Sequence, residues 1–278
     1  MGPGMGVSHA SMLLCRRIVT HLRDDPAFAH IPVVLDACAI KAISMIDEAS
    51  GSANGSPLIL GVALNGSRSS DGSNEPLVRA APFVLTPNAN ELKFLYRSAL
   101  NIEALQDELV ASFAMASVSE QLLLISRAYS AAIVLKGPVD LVAHDNFLFS
   151  CTAPPHSSAA VSSSDGELSR TPSPVAPPWS RGAPRRAAGQ GDVFCGAVCA
   201  LLAFRHIAIH RSHLKDSDGD SVFSVADTIA AASAIVKRAA FLVFREPGFS
   251  TFLASDLLGK IALSRETFAS ELCEGADE

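Results

Sequence analysis

The sequence predicts an α/β fold in which helices flank a mostly parallel β-sheet. Three short, largely apolar runs are typical of parallel strands that are buried on both faces. They cover residues 31–36, 83–87 and 131–136. Segments with helical periodicity lie between these runs, and such an alternation of strands and helices is characteristic of α/β proteins. We therefore expect one sheet flanked by helices.

Polar residues that can act as helix caps mark the helices in the first half of the chain. Ser8 is predicted to cap a helix that runs to about Arg23 and ends at the Asp-Asp-Pro sequence that follows. Asn88 is predicted to cap a second helix, which carries Glu91. Further helices are expected at about 39–49, 102–117 and 120–127.

The second half of the chain is predicted to begin with a hairpin and to end with three helices. Residues 140–150 form the predicted hairpin, with a polar turn at Asp145-Asn146. One apolar helix begins near Gln190 or Gly191, and two long helices follow at about 224–245 and 254–273. At the start of the first of these, Ser224 and Asp227 resemble a capping box.

Two segments, at about 50–79 and 152–184, are rich in Ser, Gly, Asn or Pro and are predicted to be flexible insertions. The first contains one strand-like stretch at 58–64. In the second, Trp179 is treated as incidental rather than as a docking anchor. Outside these insertions we expect residues 1–278 to form a single domain.

The overall composition excludes several functional classes. The chain has 278 residues, of which 49% are hydrophobic and 18% charged, and its net charge is −6. An acidic balance without a basic tract argues against nucleic-acid binding. We find no secretory signal and expect no apolar run of membrane-spanning length. Six cysteines without a C-x-x-C pair are expected to be reduced, with Cys195 and Cys199 packed in the core.

The sequence Gly189-Gln190-Gly191-Asp192 opens directly into an apolar helix. Glycines let backbone N–H groups approach a ligand, and a helix begins with unpaired N–H groups at its positive dipole end. This combination predicts an anion site. A carboxylate at position 192 would repel a bound phosphate. A role as a catalytic base would explain its presence.

Polar residues also follow each of the predicted strands. They are Asp36, Thr86 to Asn88, Lys136-Gly137 and Asp140. In parallel α/β sheets, ligands bind outside the carboxyl ends of the strands. The sequence therefore predicts that these residues converge on one site.

In this order, the motifs resemble the ATP- or ADP-dependent NAD(P)H-hydrate dehydratases of the ribokinase-like superfamily, and the eukaryotic branch in particular. The resemblance is carried by six blocks: Gly2-Pro3-Gly4-Met5-Gly6, Val33-Val34-Leu35-Asp36-Ala37, Leu85-Thr86-Pro87-Asn88 with Glu91, Val134-Leu135-Lys136-Gly137 with Asp140, Arg185-Arg186 through Gly189-Gln190-Gly191-Asp192, and Ala254-Ser255-Asp256-Leu257-Leu258. It implies a ribokinase-like three-layer sandwich that lacks its first strands and is incomplete at its N-terminus.

The resemblance also implies a reaction and the residues that carry it out. ATP or ADP, with Mg²⁺, would drive the removal of water from (S)-NADHX or (S)-NADPHX, with Asp192 as the catalytic base and with a functional link to NAD(P)HX epimerase. The implied ATP-binding residues are Lys136, Gly137, Asp140, Arg186, Gly189, Gln190 and Gly191. The implied NAD(P)HX-binding residues are Gly6, Asn88, Ala89, Asn90, Glu91 and Asp192. The expected compartment is intracellular, either the cytoplasm or the mitochondrion.

Each of these assignments has a structural alternative. Asp192 could simply stabilise a helix dipole, Lys136 could be a solvated lysine at a strand end, and residues 88–91 could be an ordinary helix cap. Asp36 could be a buried cap or could support the site. For function, the alternatives are another ribokinase-like kinase acting on a vitamin or sugar alcohol, and a nucleotide-binding protein without activity.

Two patterns resemble metal sites without meeting their requirements. His206, His210 and His213 have helical spacing but no acidic ligand nearby. The acidic run at 216–220 has its glycine at the fourth position, whereas a calcium loop needs glycine at the sixth. We expect no protein metal site.

Overall fold

A computed structural model describes most of the predicted elements. The described residues are 2, 4–45, 58–60, 81–99, 117–144, 147–151, 178–184, 186–212, 224–246 and 252–274. Several predicted features lie outside these residues. They are the predicted helix at 102–117 up to residue 116, the turn at Asp145-Asn146, the acidic run at 216–220 and most of both insertions. Residues 58–60 are described and form neither helix nor strand.

The chain divides into two compact units. The first unit comprises Met1–Lys136 with Ala143–Leu148, and the second comprises Gly137–Val142 with Phe149–Glu278. The assignment of the chain to a single domain stays a prediction.

Among the described residues, five strands form one sheet in the order β1-β2-β3-β4-β5. The strands are β1 Val33–Leu35, β2 Phe83–Leu85, β3 Ala132–Leu135, β4 Leu141–His144 and β5 Phe147–Ser150. β1 pairs with β2 in parallel, with Val34 opposite Val84, and β2 pairs with β3 in parallel, with Leu85 opposite Ile133. All residues of β1 and β2 are buried, as expected for strands covered on both faces. The predicted α/β class, with a sheet flanked by helices, is confirmed, and its first three strands are parallel as predicted.

In the part of the first unit that the structure describes, four α-helices are present: α1 His9–Asp24, α2 Cys38–Ser44, α3 Ala89–Ala99 and α4 Val118–Tyr129. They pack in series, α1 on α2, α2 on α3 and α3 on α4. The predicted cap of α1 is confirmed, because the Ser8 hydroxyl accepts a hydrogen bond from the Ser11 N–H. The predicted extent of α2 is wrong, since the helix ends at Ser44 and Met45 is already extended.

The second unit contains α5 Gln190–Ser212, α6 Val225–Phe244 and α7 Ala254–Glu274, and all three helices pack against one another. Their beginnings match the sequence predictions, and the predicted capping box of Ser224 and Asp227 at the start of α6 is confirmed. The core between α6 and α7 contains Val243 and Leu257, which are both almost fully buried.

Trp179 is part of the core of the second unit, so the prediction that this residue is incidental is wrong. It lies on the short 3₁₀ helix Pro178–Arg181, and its side chain packs with Ala234 and Ile235 of α6. The Arg238 guanidinium lies 5.6 Å from the centre of its ring. The predicted disorder is therefore wrong for residues 178–184, because the indole buries apolar area that a Ser- and Pro-rich segment otherwise lacks.

Helix α5 corrects the expectation that no apolar run could cross a membrane. Among the described residues, its segment Gln190–Ile209 is the one helix that is long and apolar enough to do so, and 22% of that segment is buried. The criterion concerns length and composition alone, and helices that pack in a protein core meet it as well.

The described cysteines agree with the prediction of reduced thiols. Cys15, Cys38, Cys151, Cys195 and Cys199 are all free. Cys195 is buried in α5 as expected, whereas Cys199 is only partly buried.

Candidate functional site

In the first unit, the ends of the parallel strands are tied together by buried polar contacts. Asp36 follows β1 and is 3% exposed, and its Oδ1 lies 2.6 Å from the Lys136 Nζ that follows β3. The Lys136 backbone N–H donates to the Pro87 carbonyl beyond β2 at 2.9 Å. The alternative of a solvated Lys136 is therefore wrong, because a buried carboxylate holds its ammonium group.

The predicted substrate residues at 88–91 form a reciprocal cap at the start of α3. The Asn88 Oδ1 accepts hydrogen bonds from the backbone N–H groups of Asn90 and Glu91, at 2.9 and 3.0 Å. In return, the Glu91 Oε2 accepts from the Asn88 N–H at 2.9 Å. Ala89 is the first residue of the helix. The cap is confirmed, while contact of these residues with a substrate stays a prediction.

Gly6 ends the glycine-rich turn that precedes α1. Within this turn, the Met5 N–H donates to the Gly2 carbonyl at 3.3 Å. The assignment of Gly6 to the substrate stays a prediction.

In the second unit, Gly189 shapes the turn that opens α5. Its φ of +82° lies in the left-handed region, and a Cβ at this position would lie 3.1 Å from the Cβ of Ala254, the first residue of α7. The left-handed backbone strongly favours glycine here, and the short distance to Ala254 adds a steric cost for any side chain. The Gln190 side chain folds back, and its Oε1 accepts from the Ala187 N–H at 3.3 Å.

Several backbone N–H groups of this turn are available to a ligand. The N–H groups of Gln190, Asp192 and Val193 donate to the carbonyls of Ala187 or Gly189. Within the described part of the chain, the N–H groups of Ala188, Gly189 and Gly191 have no such partner. Unpaired donors at the positive end of a helix are the physical requirement for an anion site.

The Asp192 carboxylate is exposed beside this turn. Its Oδ2 lies 3.9 Å from the position that a Cβ on Gly189 would take. Asp192 is the third residue of α5, where a carboxylate also interacts favourably with the helix dipole. An exposed carboxylate next to unpaired N–H groups can accept a proton from a bound substrate.

Residues 137–140 form a tight loop with Asp140 at its centre. The Asp140 Oδ1 accepts from the Gly137 N–H at 2.9 Å and lies 3.3 Å from the Arg186 Nη2, which also donates to the Gly137 carbonyl. A Cβ on Gly137 would lie 2.7 Å from the Val139 carbonyl oxygen. The geometry of the loop itself thus explains the glycine at 137, and its contact with a nucleotide stays a prediction.

The second oxygen of Asp140 faces α6. Its Oδ2 accepts a hydrogen bond from the Ser233 Oγ at 2.6 Å and lies 3.3 Å from the Lys237 Nζ. Lys237 also donates to the Pro138 carbonyl at 2.9 Å. Asp140, Ser233 and Lys237 are each at most 4% exposed, so this is a buried ion pair with hydrogen bonds on both carboxylate oxygens.

Burial changes the acid–base behaviour of this network. It lowers the pKa of Lys237, although the neighbouring Asp140 carboxylate favours the charged ammonium and partly opposes the shift. It also raises the pKa of the Cys151 thiol to about 12, with Asp140 contributing in the same direction. Cys151 is therefore a neutral thiol rather than a nucleophile at ordinary pH.

Sequence reasoning misses Ser233 and Lys237. A lysine inside the apolar stretch of α6, one turn after a serine, is the signal that could have found them, because both side chains then share one helix face. The predicted convergence of Asp36 and residues 86–88 with Asp140 on one site stays a prediction.

No group of three or more His, Cys, Asp and Glu side chains among the described residues could hold a metal ion. Of the histidine pattern, His213 lies outside those residues, as does the acidic run at 216–220.

Comparison with known proteins identifies relatives of this chain. It is 26% identical over 268 residues to the ATP-dependent (S)-NAD(P)H-hydrate dehydratase of Vitis vinifera, an alignment that covers 96% of this chain and 56% of the relative. The enzyme of the same name from Arabidopsis thaliana is 30% identical over 192 residues, covering 68% of this chain and 41% of the relative. The chain is a homologue of the ATP-dependent (S)-NAD(P)H-hydrate dehydratases.

A third dehydratase of this name, from Batrachochytrium dendrobatidis, is 27% identical over 264 residues, which is 92% of this chain and 65% of the relative. The resemblance drawn from the motifs is thereby confirmed. The chain spans about half the length of the curated dehydratases it matches. No protein-family model matches it.

Two solved structures show a weak similarity to the chain. YxkO of Bacillus subtilis, a member of the UPF0031 family, has a TM-score of 0.45 at 16% identity and covers 96% of this chain and 65% of its own. A ribokinase-like superfamily protein of Enterococcus faecalis V583 has the same TM-score of 0.45 at 13% identity, with 96% and 62% covered. A TM-score below 0.5 is too low to assign a shared fold.

Proposed function

We propose that this chain catalyses the ATP-dependent dehydration of (S)-NADHX and (S)-NADPHX to NADH and NADPH. The homologous dehydratases support this proposal through their names, and the glycine turn at 189–192 supports it through its chemistry. The observation that carries the proposal is an exposed carboxylate, Asp192, beside backbone N–H groups that have no hydrogen-bond acceptor among the described residues, at the start of a long helix.

The turn is proposed to hold the phosphate chain of ATP. Phosphoryl transfer depends mainly on positioning and on stabilisation of negative charge, which the N–H groups of Ala188, Gly189 and Gly191 and the dipole of α5 can supply. In the described part of the chain, Arg186 makes its hydrogen bonds through Nη2, which leaves Nε and Nη1 for a phosphate.

The other residues assigned to the nucleotide are proposed to hold the binding loops in place rather than to contact the nucleotide through their side chains. Lys136 is engaged with Asp36, and Asp140 and Gln190 hold the backbone of the loops that carry Gly137 and Gly189. Without a described carboxylate cluster, Mg²⁺ is proposed to be held mainly by the phosphates of the nucleotide, which is its usual mode in such sites. When bound, it neutralises charge on the transferred phosphoryl group.

Asp192 is proposed as the general base. The hydroxyl of the hydrated nicotinamide ring attacks the γ-phosphorus, giving its proton to the Asp192 carboxylate while the bond between the γ-phosphorus and ADP breaks. The new phosphate ester is a good leaving group. Its C–O bond then breaks, a proton leaves the adjacent ring carbon, and the products are NAD(P)H, ADP and phosphate.

The substrate side is proposed to involve Gly6 and residues 88–91. The exposed cap at the start of α3 offers amide and carboxylate groups that could bind a polar ring substituent. A functional link to NAD(P)HX epimerase, which would supply the S form, and a location in the cytoplasm or mitochondrion are part of the same proposal.

The test is to incubate the full chain with purified NADHX, ATP and Mg²⁺ and to follow the absorbance of NADH. We expect the absorbance to return only when ATP is present. If NADH does not return while a thiazole or pyridoxal alcohol is phosphorylated, the chain is another kinase. If ATP raises the melting temperature without any turnover, the chain binds nucleotide without catalysis. Either result would reject the proposal.

A further inference from the structure

The loop that carries Gly137 and contacts Arg186 is anchored from behind by a buried cation. Lys237 reaches the loop at two points, donating to the Pro138 carbonyl at 2.9 Å and lying 3.3 Å from the Asp140 Oδ2. Ser233, one turn earlier on α6, donates to the same oxygen at 2.6 Å. The loop is therefore fixed to the buried face of α6 by hydrogen bonds from two side chains.

The Asp140 carboxylate connects this anchor to the surface. Its Oδ2 is bound by Ser233 and Lys237, whereas its Oδ1 faces the Gly137 N–H and the Arg186 guanidinium. The Arg186 side chain is 45% exposed, while the side chains of Asp140 and Lys237 are each 5% exposed. The buried Lys237 ammonium thus orients the Asp140 carboxylate, and this carboxylate in turn orients the exposed Arg186 guanidinium.

The charges of this network favour an anion. Two cations share one carboxylate, so Lys237, Asp140 and Arg186 together carry one excess positive charge when all three are ionised. Because a carboxylate already compensates Lys237, the excess is carried at the exposed end by Arg186. A guanidinium held by one of its nitrogens keeps the others aligned for bidentate contact with a phosphate.

We propose that Lys237 is a positioning residue for the nucleotide, acting through Asp140 and Pro138 on the loop at 137–140 and on Arg186. This inference rests on the proposed function, because it specifies how the nucleotide-binding residues are held. Lys237 itself is too deeply buried to touch the nucleotide. Its loss should therefore alter nucleotide affinity more than the rate of the chemical step at saturating ATP.

The central variant is Lys237→Met, which keeps the apolar stem and removes the ammonium. Arg238→Met is the matched control: it is the next residue on the same helix, and its guanidinium stacks on Trp179. Ser233→Ala is a milder second variant that leaves Lys237 in place, and it keeps the test decisive should Lys237→Met fold poorly. All are made in the full chain.

Hydrogen–deuterium exchange of the peptide covering 137–142 tests the anchor without any nucleotide. We expect faster exchange in Lys237→Met and, to a smaller extent, in Ser233→Ala, with Arg238→Met unchanged. If the loop stays as protected as in the wild type in both variants, Lys237 does not anchor it and the inference is wrong. This outcome is independent of whether the chain is a dehydratase.

Titration with a non-hydrolysable ATP analogue and steady-state kinetics test the consequence. We expect Lys237→Met to raise the Kd roughly tenfold, as for the loss of about one charge-assisted hydrogen bond, and to leave kcat within about twofold. Its effect should be smaller in an Asp140→Asn background, because that change already breaks the part of the path that runs through Asp140 and leaves only the bond to Pro138.

If Lys237→Met loosens the loop but leaves the Kd for the ATP analogue unchanged, the positioning role is wrong. It is also wrong if the effects of Lys237→Met and Asp140→Asn on this Kd are additive. If the wild-type chain binds no nucleotide, the proposed function and the nucleotide part of this inference both fail, and the exchange experiment alone decides on the anchor. If nucleotide binds and Lys237→Met behaves like Arg238→Met, the inference fails while the proposed function stands.

Discussion

Two single residues, Gly189 and Asp192, determine the shape and the proposed chemistry of the turn that opens α5. Gly189 takes a left-handed backbone conformation and approaches Ala254 closely, and both disfavour other side chains. Asp192 extends its carboxylate over this glycine at the third position of α5. The two residues therefore make separate predictions, one about catalysis and one about the shape of the turn.

Asp192→Asn should lower the dehydration rate by about 10²–10⁴-fold, the usual contribution of a general base. ATP binding should persist, because the backbone N–H groups are unchanged. Turnover and ATP titration of the purified variant measure both effects.

Asp227→Asn is the matched control, since Asp227 occupies the same third position of α6 and takes part in the capping box there. It should lose some stability and keep full activity. If Asp192→Asn behaved like this control, Asp192 would merely stabilise the helix dipole, an effect of about 0.3–1 kcal/mol.

Gly189→Ala should destabilise the protein by about 1–2 kcal/mol for the left-handed conformation alone, with a further cost from the contact with Ala254. Gly196→Ala provides the comparison, because this glycine lies within α5 and a Cβ there would meet no atom within 4 Å. The control should gain roughly 0.5–1 kcal/mol from helix propensity. Chemical denaturation of both variants gives the difference, and equal stabilities would refute the requirement for glycine at 189.

At the scale of elements, the helix starts were predictable and several other features were not. Ser8, Asn88 and Ser224 could be identified because a cap is a local hydrogen bond within about three residues. The early end of α2 and the burial of Trp179 depend on tertiary packing that no local pattern specifies.

Asn88→Ala should lower the free energy of unfolding by about 1 kcal/mol, because two backbone N–H groups of α3 lose their acceptor. Ser117→Ala removes the corresponding cap of α4 and should cost a similar amount. If Asn88 also binds substrate, its variant alone will raise the KM for NADHX. Equal KM values in the two variants would leave Asn88 as a cap only and contradict its assignment to the substrate.

At the scale of the whole molecule, the sequence could predict the order of motifs but not how they are supported. The glycine turn and the strand-end residues were identifiable from their residue types. Lys237 was not, because its partner Asp140 lies 97 positions earlier in the chain and only the fold brings them to 3.3 Å. The same holds for Lys136, which the sequence allowed to be a solvated lysine. It is instead paired with the buried Asp36, which lies 100 positions earlier in the chain.

In the proposed function, the full chain couples ATP cleavage to loss of water from the nicotinamide hydrate. The most direct measurement is the stoichiometry of products after incubation with ATP, Mg²⁺ and (S)-NADHX. Equal amounts of NADH, ADP and free phosphate are predicted, because each phosphorylated ring must expel its phosphate. ADP that accumulates with a stable phosphorylated product and without NADH would contradict the account.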